Sequence, residues 1–187
     1  VLCLLVGQVF SPAPVMGATS VISLSPSNGA VGATVALVGT IDTNNGPFEI
    51  HWDGAPGSVL GIGTASGTNV STSFPVPQTP GGTHNVYLRD VTANSYSVAS
   101  PFLVNPLITI NPSSATVGTV ITVSGTGFAA SETGVVVTYD GTPIQSAIPV
   151  TSTGTWSITF MVPESASGVN HIIDAYGTLT PATSVAD

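Results

Sequence analysis

The sequence contains no lysine, and Arg89 is its only arginine. Nine acidic residues stand against that single base, giving a net charge of −8, and charged residues of every kind make up only 5 % of the 187. Nucleic-acid binding by phosphate neutralisation needs clustered Lys and Arg, and docking of basic segments to anionic lipid needs the same, so neither partner is expected. Cysteine is nearly as scarce, Cys3 being alone. No apolar run reaches the ~20 residues of a membrane-spanning helix, and no transmembrane span is expected. What the chain does have is 42 % apolar residues, 21 glycines and 15 prolines. That is enough apolar material for a core, with Ser, Thr, Asn and Gly left to carry solubility. Low charge with high apolar content is also the opposite of a disordered composition.

The amino terminus has the order of an exported protein's leader. Residues 1–10 are apolar, Ser11 to Pro14 interrupt them, and Val15-Met16-Gly17-Ala18 brings small residues before the polar Thr19-Ser20. An apolar stretch followed by a small-residue cleavage site is a signal-peptide pattern. Residues 1–18 are therefore read as a signal-peptide remnant lacking its Met and basic leading region. The other reading makes residues 1–10 a strand that pairs with a neighbouring subunit. Cleavage near Ala18 would leave a chain with no thiol, excluding disulfides, thiolate catalysis and cysteine-ligated zinc.

Beyond the leader the sequence repeats. Val21-Ile22-Ser23-Leu24-Ser25-Pro26-Ser27 answers Leu107-Ile108-Thr109-Ile110-Asn111-Pro112-Ser113, 86 positions on, as do Val31-Gly32 and Val117-Gly118, and Gly39-Thr40 and Gly125-Thr126. Trp52-Asp53-Gly54 answers Tyr139-Asp140-Gly141, Phe74-x-Val76-Pro77 answers Phe160-x-Val162-Pro163, and His84 answers His171. Landmarks kept in order with single-residue slips define two homologous domains, 21–104 and 107–187. Only Asn105-Pro106 joins them, which restricts the hinge and implies a semi-rigid pair.

Each repeat reads as strands. Thr34 to Val38 and Val120 to Val123 are β-branched or apolar runs bounded by glycine, and Phe48, Ile50, Trp52 and Trp156, Ile158, Phe160 alternate with period two. Asp53-Gly54 and Asp140-Gly141 each predict a two-residue hairpin. The segment from Thr178 to Val185 is read as the last strand of the second repeat, without a counterpart to Phe102-Leu103-Val104. No segment carries a capped 3.6-residue period. The fold class is all-β: two tandem immunoglobulin-like β-sandwiches of about seven strands each, without the Cys…Trp…Cys of antibody domains.

The run Ile108-Thr109-Ile110-Asn111-Pro112-Ser113, continuing through Val117-Gly118 to Gly125-Thr126-Gly127-Phe128, closely resembles the opening of IPT/TIG-like repeats of prokaryotic surface and secreted proteins. Tyr139-Asp140-Gly141-Thr142-Pro143, Phe160-Met161-Val162-Pro163 and the His171 strand carry the same texture. The resemblance extends over residues 21–187, although Gly39-Thr40-Ile41-Asp42 departs from the usual Gly-x-Gly-Phe. It implies spacers, adhesion elements or envelope building blocks, located outside the cell or on its surface.

The search for chemistry is short. His84 and His171 occupy equivalent positions about 86 residues apart, so they cannot form one site within one sandwich, and a packed or hydrogen-bonded structural role is expected for both. His51, between two core residues, is expected at the surface. Gly125-x-Gly127-x-x-Ala130 imitates a dinucleotide fingerprint but has no room for the helix that motif must open. No catalytic residue, cofactor or metal site is assigned. The one candidate Ca²⁺ cluster is Asp42 with Asn44 and Asn45, because calcium wants oxygen ligands converging from a loop. Glu132 and Glu164 stand alone. Trp52, Tyr139 and Trp156 are expected in the core rather than on a sugar-binding platform, and Asn69-Val70-Ser71 is a lone glycosylation sequon.

The functional expectation is thus a non-catalytic spacer or adhesion module of a secreted or surface protein, self-associating or continuing into neighbouring repeats. Two alternatives stay open: a carbohydrate-binding or adhesive module, contacting surface glycans or appended to a secreted hydrolase, and a strand-exchanging filament subunit.

Overall fold

The runs bounded by glycine and proline all fold as strands, in a computed structural model that describes residues 18–166, 168–182 and 185. The expected signal remnant falls, except for Ala18, outside those residues. The first repeat contributes β1 (Ser20–Ser25), β2 (Asn28–Gly29), β3 (Thr34–Thr40), β4 (Pro47–Trp52), β5 (Ser58–Thr64), β6 (Asn69–Pro75), β7 (Gly82–Asp90), β8 (Ser95–Tyr96) and β9 (Ser100–Val104). The second contributes β10 (Leu107–Asn111), β11 (Val120–Thr126), β12 (Val135–Tyr139), β13 (Thr142–Ile148), β14 (Trp156–Met161) and β15 (Ile173–Tyr176).

Each repeat closes two sheets over its own core. In the first, β1-β3-β6 faces a larger sheet in the order β2-β9-β7-β4-β5, with β8 paired to β7. In the second, β10-β11-β14 faces β13-β12-β15. The alternation in β3 buries Val35, Leu37 and Gly39 while Thr34, Ala36 and Val38 face out. Phe48, Ile50, Trp52, Phe74, Val86 and Phe102 complete the first core, and Val123, Phe128, Val137, Tyr139, Trp156 and Ile158 lead the second. A feature shared by the two core-facing sheets is a glycine opposite an inward side chain. Gly125 pairs with Trp156, and a Cβ there would lie 2.2 Å from the indole nitrogen. Any side chain at that position would displace the largest ring in the core.

Three local expectations need correction. Asp140-Gly141 does form the two-residue turn, with Tyr139 opposite Thr142 and φ of 49° and 76°. The counterpart does not: Trp52 is opposite Ser58, so the loop runs from Asp53 to Gly57, and Pro56, which has no N–H to give a ladder, prevents β5 from starting earlier. His51 is 3 % exposed rather than at the surface. The face it points to is roofed by Tyr96, whose ring meets the imidazole edge-on at 5.4 Å, and by Gly57 of the long loop. Of the segment expected as a last strand from Thr178 to Val185, the described residues Thr178 to Ala182 are no strand: β15 ends at Tyr176 and they bend back. The N–H groups of Leu179 and Thr180 are taken by the Glu132 carboxylate, at 2.5 and 3.2 Å, and are lost to any ladder.

The two repeats meet end to end. Gly81 N–H donates to the Phe128 carbonyl at 3.1 Å, and the Gln78 amide donates to the Thr153 carbonyl at 3.0 Å. Gly81 lies so close that a Cβ on it would fall 2.1 Å from the Gly127 oxygen. Asn105 is anchored on the first repeat through its N–H to the Gly29 carbonyl and its amide to Asn28 Oδ1. The short proline-containing link is thus reinforced by contacts on both sides.

Candidate functional site

The chemistry-bearing side chains gather into small clamps. In the first repeat the Asp53 turn follows β4, and His84 sits near the start of β7. His84 Nδ1 lies 2.6 Å from Asp53 Oδ2, its Nε2 lies 3.0 Å from the Pro80 carbonyl, and Asp53 Oδ1 accepts the Asn85 N–H. The imidazole stacks on Trp52 at 5.0 Å and 21°. The second repeat reproduces every part. His171 Nδ1 lies 2.7 Å from Asp140 Oδ2, Nε2 lies 2.9 Å from the Ala166 carbonyl, Asp140 Oδ1 accepts the Ile172 N–H, and the ring stacks on Tyr139 at 5.0 Å and 21°. The histidine repeated in sequence is therefore one half of a repeated His–Asp–aromatic clamp that ties a hairpin turn to the strand beside it.

In the second clamp both ring nitrogens of His171 face oxygens that can only accept, so the ring serves best with both protons. The hydrogen bond to Asp140, followed by that to the Ala166 carbonyl, raises its pKa above the ordinary value. The Ile172 N–H and then His171 lower that of Asp140. Both ring nitrogens are occupied by these oxygens, and among the described residues no hydroxyl or thiol is hydrogen-bonded to His171.

The single cation is equally engaged. Arg89 Nη1 donates to Glu49 Oε2 at 2.7 Å and Nη2 to Asn94 Oδ1 at 2.8 Å, while the guanidinium lies over the Tyr96 ring. His51 reaches the same Glu49 oxygen at 3.0 Å. Arg89 first, and His51 after it, hold the Glu49 carboxyl below its usual range. This cluster covers the outer face of the larger sheet beside β8.

Two further acids, Asp90 beside Arg89 and Glu132, which stands alone in sequence, hold loops. Asp90 is fully buried and accepts from Thr43 N and Oγ1 and from Ala93 N. Burial pushes its pKa up, and these hydrogen bonds together more than reverse that, leaving it lowered. Glu132, 2 % exposed, accepts from Leu179 N, Thr180 N and Thr180 Oγ1. For Glu132 a sequence signal is available in Thr178-Leu179-Thr180, since hydroxyls and free N–H groups at strand ends need acceptors.

Of the calcium candidates, Asp42 and Asn45 are used in hydrogen bonds of the loop ends. Asp42 Oδ2 accepts from Thr19 Oγ1 at 2.9 Å and Ser95 Oγ at 2.7 Å, whereas Asn45 Oδ1 accepts from Gly67 N at 2.8 Å. Asn44 is exposed at the same loop. Asp42 thus holds Thr19 and Ser95, while Asn45 holds the Gly67 turn, beside which Asn44 Oδ1 also lies. Among the described residues no group of three or more His, Cys, Asp or Glu is placed to hold a metal. Trp52, Tyr139 and Trp156 are all buried, so none forms an exposed platform. Asn69 of the sequon is exposed at the start of β6.

Comparison with known proteins places the second repeat. Residues 107–182 match the family model of the IPT/TIG domain. The chain has no match among curated proteins. Among solved structures it is similar to fibronectin(III)-like modules of Clostridium thermocellum CbhA, at 15 % identity over 88 % of each chain with a TM-score of 0.32. It is also similar to the central fibronectin-III array of RIM-binding protein, at 12 % identity over 86 % of this chain and 57 % of that one with a TM-score of 0.32. A third is the BSP domain of a biofilm-associated protein, at 16 % identity over 87 % of this chain and 26 % of that one with a TM-score of 0.30. Likeness at this level concerns β-sandwich architecture and nothing finer. Together with the sheets and cores described above, the match shows residues 107–182 as a β-sandwich similar to the IPT/TIG domain.

Proposed function

We propose that this chain is a non-catalytic spacer or adhesion module of a secreted or cell-surface protein, holding other parts at a set distance. One observation carries the reading: the polar and aromatic groups that could do chemistry are spent on internal clamps. Both His–Asp pairs, the sole arginine and the two buried acids each tie one piece of chain to another. The outer face of β1-β3-β6 is left with Thr34, Ala36, Val38, Ser71 and Ser73, a surface with little to recognise a small substrate. The end-to-end contacts at Gly81 and Gln78 suit a spacer, because a joint that bends freely transmits neither distance nor force.

The test is small-angle scattering of the full chain with and without a panel of soluble oligosaccharides. A spacer gives one elongated, sugar-independent profile, and Gly81→Val broadens it by wedging the joint. A freely jointed profile in the parent chain would remove the spacer reading. Saturable sugar binding would favour the carbohydrate-directed alternative.

A further inference from the structure

The clamp of the first repeat and the joint between the repeats share one peptide group. The Pro80 carbonyl faces His84 Nε2 at 3.0 Å. The N–H of the same peptide bond, that of Gly81, donates to the Phe128 carbonyl of the second repeat at 3.1 Å. A trans peptide points these two groups in opposite directions, so the unit is gripped from both repeats. On the first side, His84 Nδ1 lies 2.6 Å from Asp53 Oδ2 and the ring stacks on Trp52. On the second, Phe128 is anchored by its own N–H, which donates to the Gly154 carbonyl at 3.1 Å, and by its ring, fully buried against Trp156. Asp53, His84, Pro80-Gly81 and Phe128 thus form one continuous line of hydrogen bonds from the first sandwich into the second. Each bond in such a line polarises the next.

The line depends on protons. Asp53 Oδ2 and the Pro80 oxygen can only accept, so both bonds exist together only while both ring nitrogens are protonated. A neutral ring has one proton, and the Asp53 carboxylate, nearer and charged, keeps it on Nδ1. Nε2 then turns a lone pair toward the Pro80 oxygen, and the two repel. Another partner for Nε2 is already in place: the buried Thr79 has its Oγ1 3.4 Å away and a hydroxyl proton to give. The ring therefore has two arrangements, donating to Pro80 when charged and accepting from Thr79 when neutral. Among the described residues the second clamp has only the first of them. Its Ser165, equivalent to Thr79, is bonded to the Tyr139 hydroxyl and the Pro163 carbonyl at 3.0 and 3.3 Å. That clamp also lies at the end of β12, away from residues 127–129 of the joint. Among the described residues Asp53 is the one charged group paired with His84. Residues 77–81 and 100–105 beside the ring, and 127–129 and 151–155 across the joint, include no titratable side chain. Glu49, His51 and Arg89 belong to the opposite face of the sheet.

We propose that this line is a proton-operated latch on the joint between the repeats. With the His84 ring doubly protonated, the Pro80-Gly81 group is fixed and the two sandwiches move as one stiff body. With the ring neutral, the Pro80 carbonyl is released, Gly81 parts from Phe128 more often, and the joint bends. Small shifts of Pro80 are felt across the joint, because the contact there is close: a Cβ on Gly154 would fall 2.7 Å from Pro80 Cα. The latch rests on the spacer reading, since a joint that is never stiff has nothing to release, and it makes the set distance depend on pH.

The experiment follows the isotope-labelled full chain at about pH 5 and about pH 8, the span over which an imidazole changes charge. It reads the protection of the Gly81 amide, corrected for the intrinsic exchange rate, and the alignment of the two repeats from residual dipolar couplings. Gly81 protection should fall by at least about tenfold between the two conditions, as for loss of a hydrogen bond from a charged group, while one shared alignment gives way to two. His84→Phe keeps a ring on Trp52 and should show the low protection in both conditions. Asp53→Asn separates a latch from a merely structural clamp. The new amide's oxygen still serves the Asn85 N–H, its nitrogen donates to Nδ1, and the neutral ring then keeps its proton on Nε2 for Pro80. This variant should stay stiff in both conditions, and His171→Phe in the matching clamp should leave the Gly81 response unchanged. Three results overturn the proposal: equal Gly81 protection in both conditions in the parent chain, Asp53→Asn loosened in both like His84→Phe, or a response lost in His171→Phe. Equal protection with one shared alignment leaves the spacer reading standing, whereas two alignments in both conditions remove that reading as well.

Discussion

The two sandwiches share a clamp, a core plan and a glycine opposite a packed side chain, yet among the described residues one presents a five-strand path where the other has three strands in the corresponding sheet. The residues of the two clamps are nearly equivalent, so the shortening of β15 relative to β7 goes with its pairing: β9 lies beside β7, and among the described residues β15 pairs with β12 alone. A strand exists where its backbone groups find partners on both sides, and local sequence sets only the opportunity. The comparison also shows a contact kept while its chemistry moved. Asp90 at the end of β7 grips the Thr43 loop. Its counterpart in the second repeat is Gly177, and the acid is now on the loop side, at Glu132. A Cβ at position 177 would fall 2.1 Å from Glu132 Oε1, so a side chain there would push that carboxylate aside.

Removing the strand's anchor should make the first sandwich resemble the second. Phe102→Ala deletes a fully buried ring and is expected to cost about 3–5 kcal/mol. In urea unfolding the transition assigned to the first repeat should fall, with amide exchange near His84 becoming fast and the second repeat unchanged. If both transitions fell together, the repeats would be a single cooperative unit and the comparison would lose its basis.

The exchanged acids offer a second, smaller break. Asp90→Ala and Glu132→Ala each strip a carboxylate from several N–H and hydroxyl donors, with an expected loss of about 2–3 kcal/mol confined to the repeat that carries the change. Equal and local losses, read from the same unfolding curves, would establish the two acids as equivalent. A much smaller loss at one site would mean that water replaces the carboxylate there.

The smallest effect concerns pH. His171 has a raised pKa, so its stabilising contribution is complete below the ordinary value of 6.5 and is lost as pH rises through the raised one. Asp140 has a lowered pKa, so its contribution is present above the ordinary 3.8 and is lost as pH falls through the lowered one. The melting temperature of the second repeat should therefore be highest in mildly acidic solution and decline toward alkaline pH. His171→Gln should flatten that decline. A decline left unchanged in the variant would assign it to other groups.

Much of this was legible in the residues. Alternation in Phe48, Ile50 and Trp52 and in Trp156 and Ile158 picked out inward positions, because side chains of a strand face opposite sides in turn. The repeated histidine was visible at once, but its partner was not, since Asp53 and Asp140 were already accounted for as turn residues. His51 was misjudged because alternation says which side of a sheet a residue faces and not whether that side is covered. The Asp53 hairpin was misjudged because the same dipeptide opens a two-residue turn before Thr142 and a longer loop before Ala55-Pro56.

By itself, then, the sequence determined an all-β chain of two repeats with defined inward faces and almost no charge, because strand alternation, glycine and proline placement and composition act locally. The tertiary structure decided which acids hold which loops and that His51 is roofed. Each of those depends on groups brought together from distant parts of the chain, such as Asp90 with Thr43 or Glu132 with Thr180, and no local pattern encodes such a meeting.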